Sequence, residues 1–199
     1  MADPRANREV EIKLRVADTL VVERIKAAGF HESAARVLEV NQLFDRPDNE
    51  LRTTDRLLRL RRVGDRAIVT YKGPSERGRH KSREEIEFRV SDGAAFELVL
   101  NRLGYSPGFL YEKYRTEFSR EGDPGVVTLD ETPIGIYLEL EGNPEWIDRV
   151  AAELGFTHAD YSTASYGSLF REYYSNHPEV GTNMTFSRGV LPTPLAKDS

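Results

Sequence analysis

Charged and apolar side chains alternate over Glu9-Val10-Glu11-Ile12-Lys13-Leu14. An extended chain sends successive side chains to opposite faces, so Glu9, Glu11 and Lys13 share one face while Val10, Ile12 and Leu14 share the other. The same alternation returns at Leu58-Arg59-Leu60-Arg61, at Glu85-Ile86-Glu87-Phe88-Arg89-Val90, at Lys113-Tyr114-Arg115 and at Leu138-Glu139-Leu140-Glu141. It predicts strands over 9–16, around 40–44, and over 57–62, 66–72, 84–90, 110–119, 125–131 and 135–142. Gly64-Asp65 turns one hairpin, and residues 45–49 form a turn cluster. Helical periodicity predicts a helix over 18–29, with Asp18 as N-cap, Leu20, Val21, Ile25 and Ala28 on one side and Gly29 as the stop. A second helix covers 92–103 and stops at Gly104; its Phe96, Leu98, Leu100 and Leu103 are expected to pack on the sheet. A third opens at Asn143-Pro144 and ends at Gly155, and a fourth spans 162–174. Residues 73–82 read as a loop rich in glycine and bases (Arg77, Arg79, His80, Lys81), either a lid or a hairpin tip.

An internal echo runs through this order. Glu9-Val10-Glu11-Ile12-Lys13 matches Glu85-Ile86-Glu87-Phe88-Arg89 in residue type at every position. Each is followed by a small residue and an aspartate, a helix, a Gly-aromatic pair and further strands. Two such halves suggest a sheet closed on itself by pseudo-symmetry. An open sheet with one solvated face would use Ser, Thr and Gln freely, whereas these positions are mostly ionic. The apolar face needs helices over it, and about eight strands is a size at which closure becomes natural. The expected architecture is α+β: a closed eight-stranded antiparallel β-barrel with a charged interior and helices outside. It forms one domain over 1–174, with a loose tail over 175–199 signalled by Pro178, Pro192 and Pro194.

Composition narrows the chemistry. Among 199 residues there is no cysteine, which excludes disulfides and thiolate metal sites and suits a cytoplasmic setting. The first residues lack the apolar run of a signal peptide, and no stretch approaches the roughly 20 apolar residues of a membrane span. A net charge of −5 argues against nucleic acid as partner. An anionic ligand must therefore be held by a local basic cluster or by metal ions. There is no GxxxxGK[ST] and no GxGxxG. His31, His80, His158 and His177 lack metal-ligand spacing and read as surface residues, and Trp146 reads as packing.

A charged lumen brings like charges together. At about 4 Å and an effective dielectric near 20, two such charges repel by roughly 4 kcal/mol. Glu9, Glu11, Glu139 and Glu141 are expected to crowd one region, and Arg59, Arg61, Lys72 and Arg115 another. Carboxylate oxygens suit Mg²⁺ or Mn²⁺, and guanidinium groups suit phosphate oxygens. A metal–triphosphate complex satisfies both.

The ordered set of motifs resembles the CYTH superfamily, the triphosphate tunnel enzymes. It comprises Glu9-x-Glu11-x-Lys13, residues 41–47, Leu58-Arg59-Leu60-Arg61, Tyr71-Lys72-Gly73-Pro74, residues 83–87, Glu112-Lys113-Tyr114-Arg115, Leu129-Asp130 and Glu139-Leu140-Glu141. The resemblance spans about residues 8–172 and implies an eight-stranded tunnel. It implies Glu9, Glu11, Glu139 and Glu141 as metal ligands, and Arg59, Arg61, Lys72 and Arg115 as a phosphate clamp joined by Lys13 and Lys113. Lys13, Arg115 and Asp130 carry the catalytic roles it implies, Asp130 by orienting a base or a metal-bound water. Arg83, Glu85 and Glu87 are further tunnel residues; for the two glutamates, pairing with arginine and metal contact stand as equal alternatives. The segments 164–169 and 112–115 are most similar to the class IV adenylyl cyclase-like bacterial branch, which implies conversion of ATP to cyclic AMP and pyrophosphate. The alternatives are hydrolysis of inorganic, thiamine or nucleoside triphosphate, and non-catalytic binding of polyphosphate or nucleotide. The resemblance also makes a homodimer plausible. For a cyclase, Lys13 serves as base only if its pKa is depressed; its neighbouring glutamates push it the other way, which favours metal activation.

Overall fold

The computed structural model describes residues 7–17, 20–76 and 78–186. Nine strands are present: β1 (Asn7–Val16), β2 (His31–Asp45), β3 (Leu57–Val63), β4 (Arg66–Lys72), β5 (Lys81–Val90), β6 (Ser106–Ser119), β7 (Val126–Thr132), β8 (Gly135–Glu141) and β9 (Tyr161–Ser162). Five α-helices accompany them: α1 (Val21–Ala27), α2 (Glu50–Thr53), α3 (Gly93–Arg102), α4 (Pro144–Glu153) and α5 (Tyr166–Asn176). Eight strands run in the order β5-β4-β3-β2-β6-β7-β8-β1, and β1 returns to pair with β5. Every pairing is antiparallel, so the sheet is a closed barrel. The two-residue β9 adds to the β1 edge beyond β5.

The echo between the two halves has a spatial counterpart. Each half runs strand, helix, three strands, and the equivalent strands pair, β1 with β5 and β2 with β6. The first strand of each half also closes onto the last strand of the other, β1 on β8 and β5 on β4.

Alternation places the apolar half of each strand outward, where the helices cover it. Ile12, Leu14, Val127, Leu129, Leu138 and Leu140 form one core with Val21 and Ile25 of α1 and Trp146, Ile147, Val150 and Leu154 of α4. Leu60, Ala67 and Val69 form a second with Leu100 of α3. Asp92 caps α3 through its carboxylate, and Asn143 caps α4 just ahead of Pro144. α3 touches the barrel through Phe96 and Leu100, one turn apart; Leu98 and Leu103 point to solvent, so only half of the expected packing set packs. Trp146 is buried as expected, edge-on to Phe30. Among the described residues no helix is long and apolar enough to cross a membrane.

Several boundaries differ from expectation. β2 is 15 residues long, not five, and its first half is irregular against β6, with register shifts at Glu32/Ala34 and Ala34/Val37 that scramble the alternation a reader looks for. The turn cluster continues into the short helix α2, whose amides at Leu51 and Arg52 donate to the Asp45 carboxylate. The fourth long helix starts at Tyr166, capped by Ser165, because residues 161–162 are spent as β9. Asp18 and Arg77 lie outside the described residues.

The loose tail expected from Ser175 is corrected over its first part. α5 runs on to Asn176, and Met184, fully buried, exchanges backbone bonds with Leu110 and Glu112 of β6. Residues 187–199 lie outside the described set.

A methyl group at Gly125 would stand 2.6 Å from the Trp146 ring and 2.7 Å from the Glu141 carbonyl, with backbone on one side and a wedged indole on the other. Gly125→Ala is expected to lower stability by about 1–3 kcal/mol in urea unfolding, the range for overpacking a filled core.

Candidate active site

The inward halves of the strands line a cavity of about 400 Å³. β1 contributes Glu9, Glu11 and Lys13; β3 contributes Arg59 and Arg61; β4 contributes Lys72; β5 contributes Lys81, Arg83, Glu85 and Glu87. Lys113 and Arg115 come from β6, and Glu139 and Glu141 from β8. Thirteen of the fourteen predicted site residues are thus brought to one cavity; Asp130 alone is displaced behind its wall. The cross-strand register sets who meets whom: Glu11 lies opposite Glu141, and Lys13 opposite Glu139.

The expected segregation into an acidic and a basic region is not what forms. Lys72 sits among the acids, with its ammonium 2.5 Å from Glu9 and 2.9 Å from Glu85, because β4 neighbours β5 and β5 neighbours β1. Arg115 reaches across to Glu139 as well as to Asp130. Lys13 bridges Glu11 at 3.3 Å and Glu139 at 3.0 Å. Glu85 and Glu87 each have a basic partner, Lys72 for the first and Arg59, at 3.5 Å, for the second. Asp130 is fully buried and accepts bonds from Lys113 (2.8 Å), from Arg115 through both oxygens (2.7 and 2.6 Å) and from the Tyr166 hydroxyl (2.6 Å). It thus pairs with the two basic side chains from behind the cavity wall.

Sequence reasoning assigned no role to Glu39, Asn41, Tyr111 and Tyr166, and left Lys81 in a loop. Glu39 stands between Arg61 (3.4 Å) and Lys113 (3.6 Å), and Asn41 accepts from Arg61 (3.3 Å). The signal for Glu39 was present, since Leu38-Glu39-Val40-Asn41 alternates, but the predicted strand began one residue beyond it; Asn41 fell inside that strand as an uncharged residue. Lys81 opens β5 and faces Glu11 at 3.7 Å. Tyr166 starts α5, its ring lying beneath the Lys13 and Lys113 ammonium groups and against Tyr111 and Tyr137. A single tyrosine at a helix start has no periodicity to betray it. Among the histidines, His80 is the exception to the surface reading: its side chain is 13% exposed and bonded to Asp148.

Electrostatics follow from this packing. Burial opposes charge on Glu11, yet Lys13, Lys72 and Lys81 outweigh it and hold the carboxyl down at about 2. Burial likewise opposes charge on Lys13, but Glu11 and Glu139 keep it protonated well beyond neutral pH. The direction of the shift is the one its neighbouring glutamates lead one to expect. Burial and the Glu11 charge push Glu9 up to about 7 against the pull of Lys72. Glu141, at the open rim, is raised by desolvation and by Glu85, Glu139 and Glu11. Burial lowers Lys81 to about 8 despite Glu11.

Among the described residues no three acidic or histidine side chains form a ready metal cage. The donor set still fits a hard divalent cation. Carboxylates from β1 and β8 share one wall, with Glu11 opposite Glu141, and Mg²⁺ ordinarily takes one or two carboxylates plus phosphate oxygens.

The CYTH domain family model matches residues 7–166. The chain belongs to the CYTH domain family. A CYTH relative in Methanocaldococcus jannaschii, provisionally named an adenylate cyclase, is 33% identical over 134 residues, 67% of this chain and 75% of its own. A Vibrio parahaemolyticus structure under the same provisional name superposes with TM-score 0.70 at 20% identity, covering 82% of this chain and 97% of its own. A protein of Pyrococcus horikoshii superposes at 0.69 with 26% identity, over 83% and 99%. HpAC1 of Hippeastrum, a provisionally named adenylyl cyclase described as having a dominant triphosphatase activity, superposes at 0.62 with 20% identity, over 83% and 96%.

Removing the Asp130 charge would leave Lys113 and Arg115 buried with one counter-ion fewer. Asp130→Asn is expected to cost about 3–5 kcal/mol in denaturant unfolding, the range for breaking a buried pair from one side. Glu141→Gln, at the rim, is expected to leave stability within about 0.5 kcal/mol by the same measurement.

Proposed function

We propose that this CYTH chain is a metal-dependent enzyme acting on a small triphosphate inside the barrel, and that hydrolysis releasing orthophosphate is its main reaction. One observation carries the reading: nine basic side chains, with seven carboxylates among them, line one cavity in a chain whose net charge is −5, counted among the described residues. Such a lining matches a polyanion accompanied by a divalent cation better than either alone. Arg59, Arg61 and Arg115 clamp phosphate oxygens, with Lys13, Lys72, Lys81 and Lys113 as point charges around them. Asp130 and Glu39 hold Arg115, Lys113 and Arg61 in place from behind. Glu11, Glu139 and Glu141 would hold the metal, with Glu9 kept in reserve by its bond to Lys72. A bound Mg²⁺ or Mn²⁺ would neutralise phosphate charge and lower the pKa of the attacking water or hydroxyl. The protonated Lys13 stabilises charge on the phosphates and does not accept a proton.

Cyclisation of ATP is the second reading, favoured by the name of the Methanocaldococcus relative. A cyclase must also seat adenine. Among the described residues the two aromatic rings of the lining are already occupied, Tyr111 against Phe109 and Tyr166 beneath two ammonium groups. Those occupied rings, with the triphosphatase activity ascribed to the Hippeastrum neighbour, support hydrolysis as the first reading.

Incubation with inorganic triphosphate, thiamine triphosphate and ATP, each with Mg²⁺ or Mn²⁺, is expected to give orthophosphate that disappears on chelation. Cyclic AMP plus pyrophosphate from ATP would put the cyclase reading first. Tight binding with no metal-dependent product would make the chain a binder. Arg59→Ala is expected to lower kcat/KM by about 10²–10³, the scale for removing a charge-stabilising donor. Full turnover in that variant would remove Arg59 from the clamp.

A further inference from the structure

Outside the barrel, one carboxylate gathers four side chains from two distant stretches of the chain. Asp148 of α4 accepts a bond from His80 Nε2 at 2.7 Å and from the Tyr161 hydroxyl at 3.1 Å. The Arg79 guanidinium lies 3.5 Å away and His158 Nε2 3.6 Å away. The Tyr161 ring stands between the two imidazoles, with centroids at 6.0 Å from His80 and 5.2 Å from His158. None of these residues lines the cavity.

Their neighbours in sequence do. His80 immediately precedes Lys81, the first residue of β5, which pairs with Glu11 and points its ammonium into the cavity. Tyr161 opens β9, which pairs with Leu14 and Lys13 of β1 and leads within a few residues to Ser165 and Tyr166 on the cavity wall. β5 and β9 share one edge of β1, β5 ending at Glu11 and β9 starting at Lys13. Asp148 ties the two together at the point where one gives way to the other.

We propose that Asp148 is a positioning residue for the triphosphate site, acting through His80 to hold Lys81 against the substrate. The inference rests on the reading of the cavity as a triphosphate site. Lys81 is the first ladder residue of its strand: it pairs with Glu11 of β1, the following Ser82 carbonyl accepts from the Glu76 amide, and ahead of it His80 is tied to α4 by the Asp148 bond. Without the Asp148 bond the strand frays from this end, and the Lys81 ammonium loses its fixed place. Burial of that ammonium, 7% exposed as a residue, means a small displacement removes a close cation from the cavity.

Two measurements test this. The first needs no substrate: amide hydrogen exchange at residues 81–83 is expected to quicken in Asp148→Ala while exchange in β3 and β7 stays unchanged. The second uses inorganic triphosphate: Asp148→Ala is expected to raise KM about tenfold with kcat within about twofold, the signature of lost uniform binding. Lys81→Ala should raise KM similarly, and adding Asp148→Ala to it should change nothing more. His80→Ala should behave as Asp148→Ala, whereas His80→Gln, which keeps an N–H donor, should restore most of the loss. Arg149→Ala, on the same helix but bonded to Asp123 and Glu153, is the control and should be silent. Unchanged exchange in Asp148→Ala overturns the inference. So does a loss of kcat together with thermal stability, or an Asp148 effect that persists without Lys81. A wild-type protein that neither binds nor turns over triphosphate overturns the functional reading, and the exchange experiment then decides the positioning role alone.

Discussion

Burying so many charges in a ring of strands is tolerable only if nearly every one finds an opposite partner, and that requirement organises the rest of the molecule. An unpaired ion in a protein interior costs several kcal/mol. Here Lys13, Lys72, Lys113 and Arg115 each touch two carboxylates, so that the pairs link across strands into a network. Once polar side chains occupy one face of every strand, the apolar face has nowhere to go but outward. The helices must then lie outside, and the core becomes a set of separate clusters around the ring.

The network is nearly but not fully satisfied. Among its buried atoms, Glu39 Oε2, Asn41 Nδ2, Arg59 Nε and Arg83 Nε have no hydrogen-bond partner. In a native interior such atoms are few and call for an explanation. Three of the four are donors, and two belong to arginines on the cavity wall, which is the deficit that phosphate oxygens would fill. On the proposed reading, binding would exchange internal ion pairs for external ones, and the carboxylates that neutralise the bases at rest would also be the groups offered to a metal ion.

Much of this was legible in the chain because period-two alternation is a strong signal and closure follows from counting strands. Strands with strict alternation, such as β1, β3 and β8, were placed within one or two residues. β2 was not, because bulges hide the pattern of its first half, and a strand read as starting at Val40 left out Glu39. Pairing between non-neighbouring strands was beyond reach as well: alternation says which face a lysine occupies but not that Lys72 meets Glu9, which depends on β5 lying between them in the ring. The echo of the two halves hinted at that arrangement. Tyr166 and the Asp148 cluster arise from tertiary contact alone.

The ring also constrains how the chain can be assembled. β1 has its two main neighbours, β5 and β8, far along the sequence, the second of them near the end of the barrel. Of the barrel strands β1 leaves the ribosome first, carrying Glu9 and Glu11 with only Lys13 of its own strand to set against them. Its apolar side has only α1 for cover until α4 emerges. Long-range pairings of this kind are slow because loop closure must come before any contact rewards it. Of the barrel strands, the one that completes the cavity is thus the first made, and it waits half-paired from the emergence of β5 until β8 is translated.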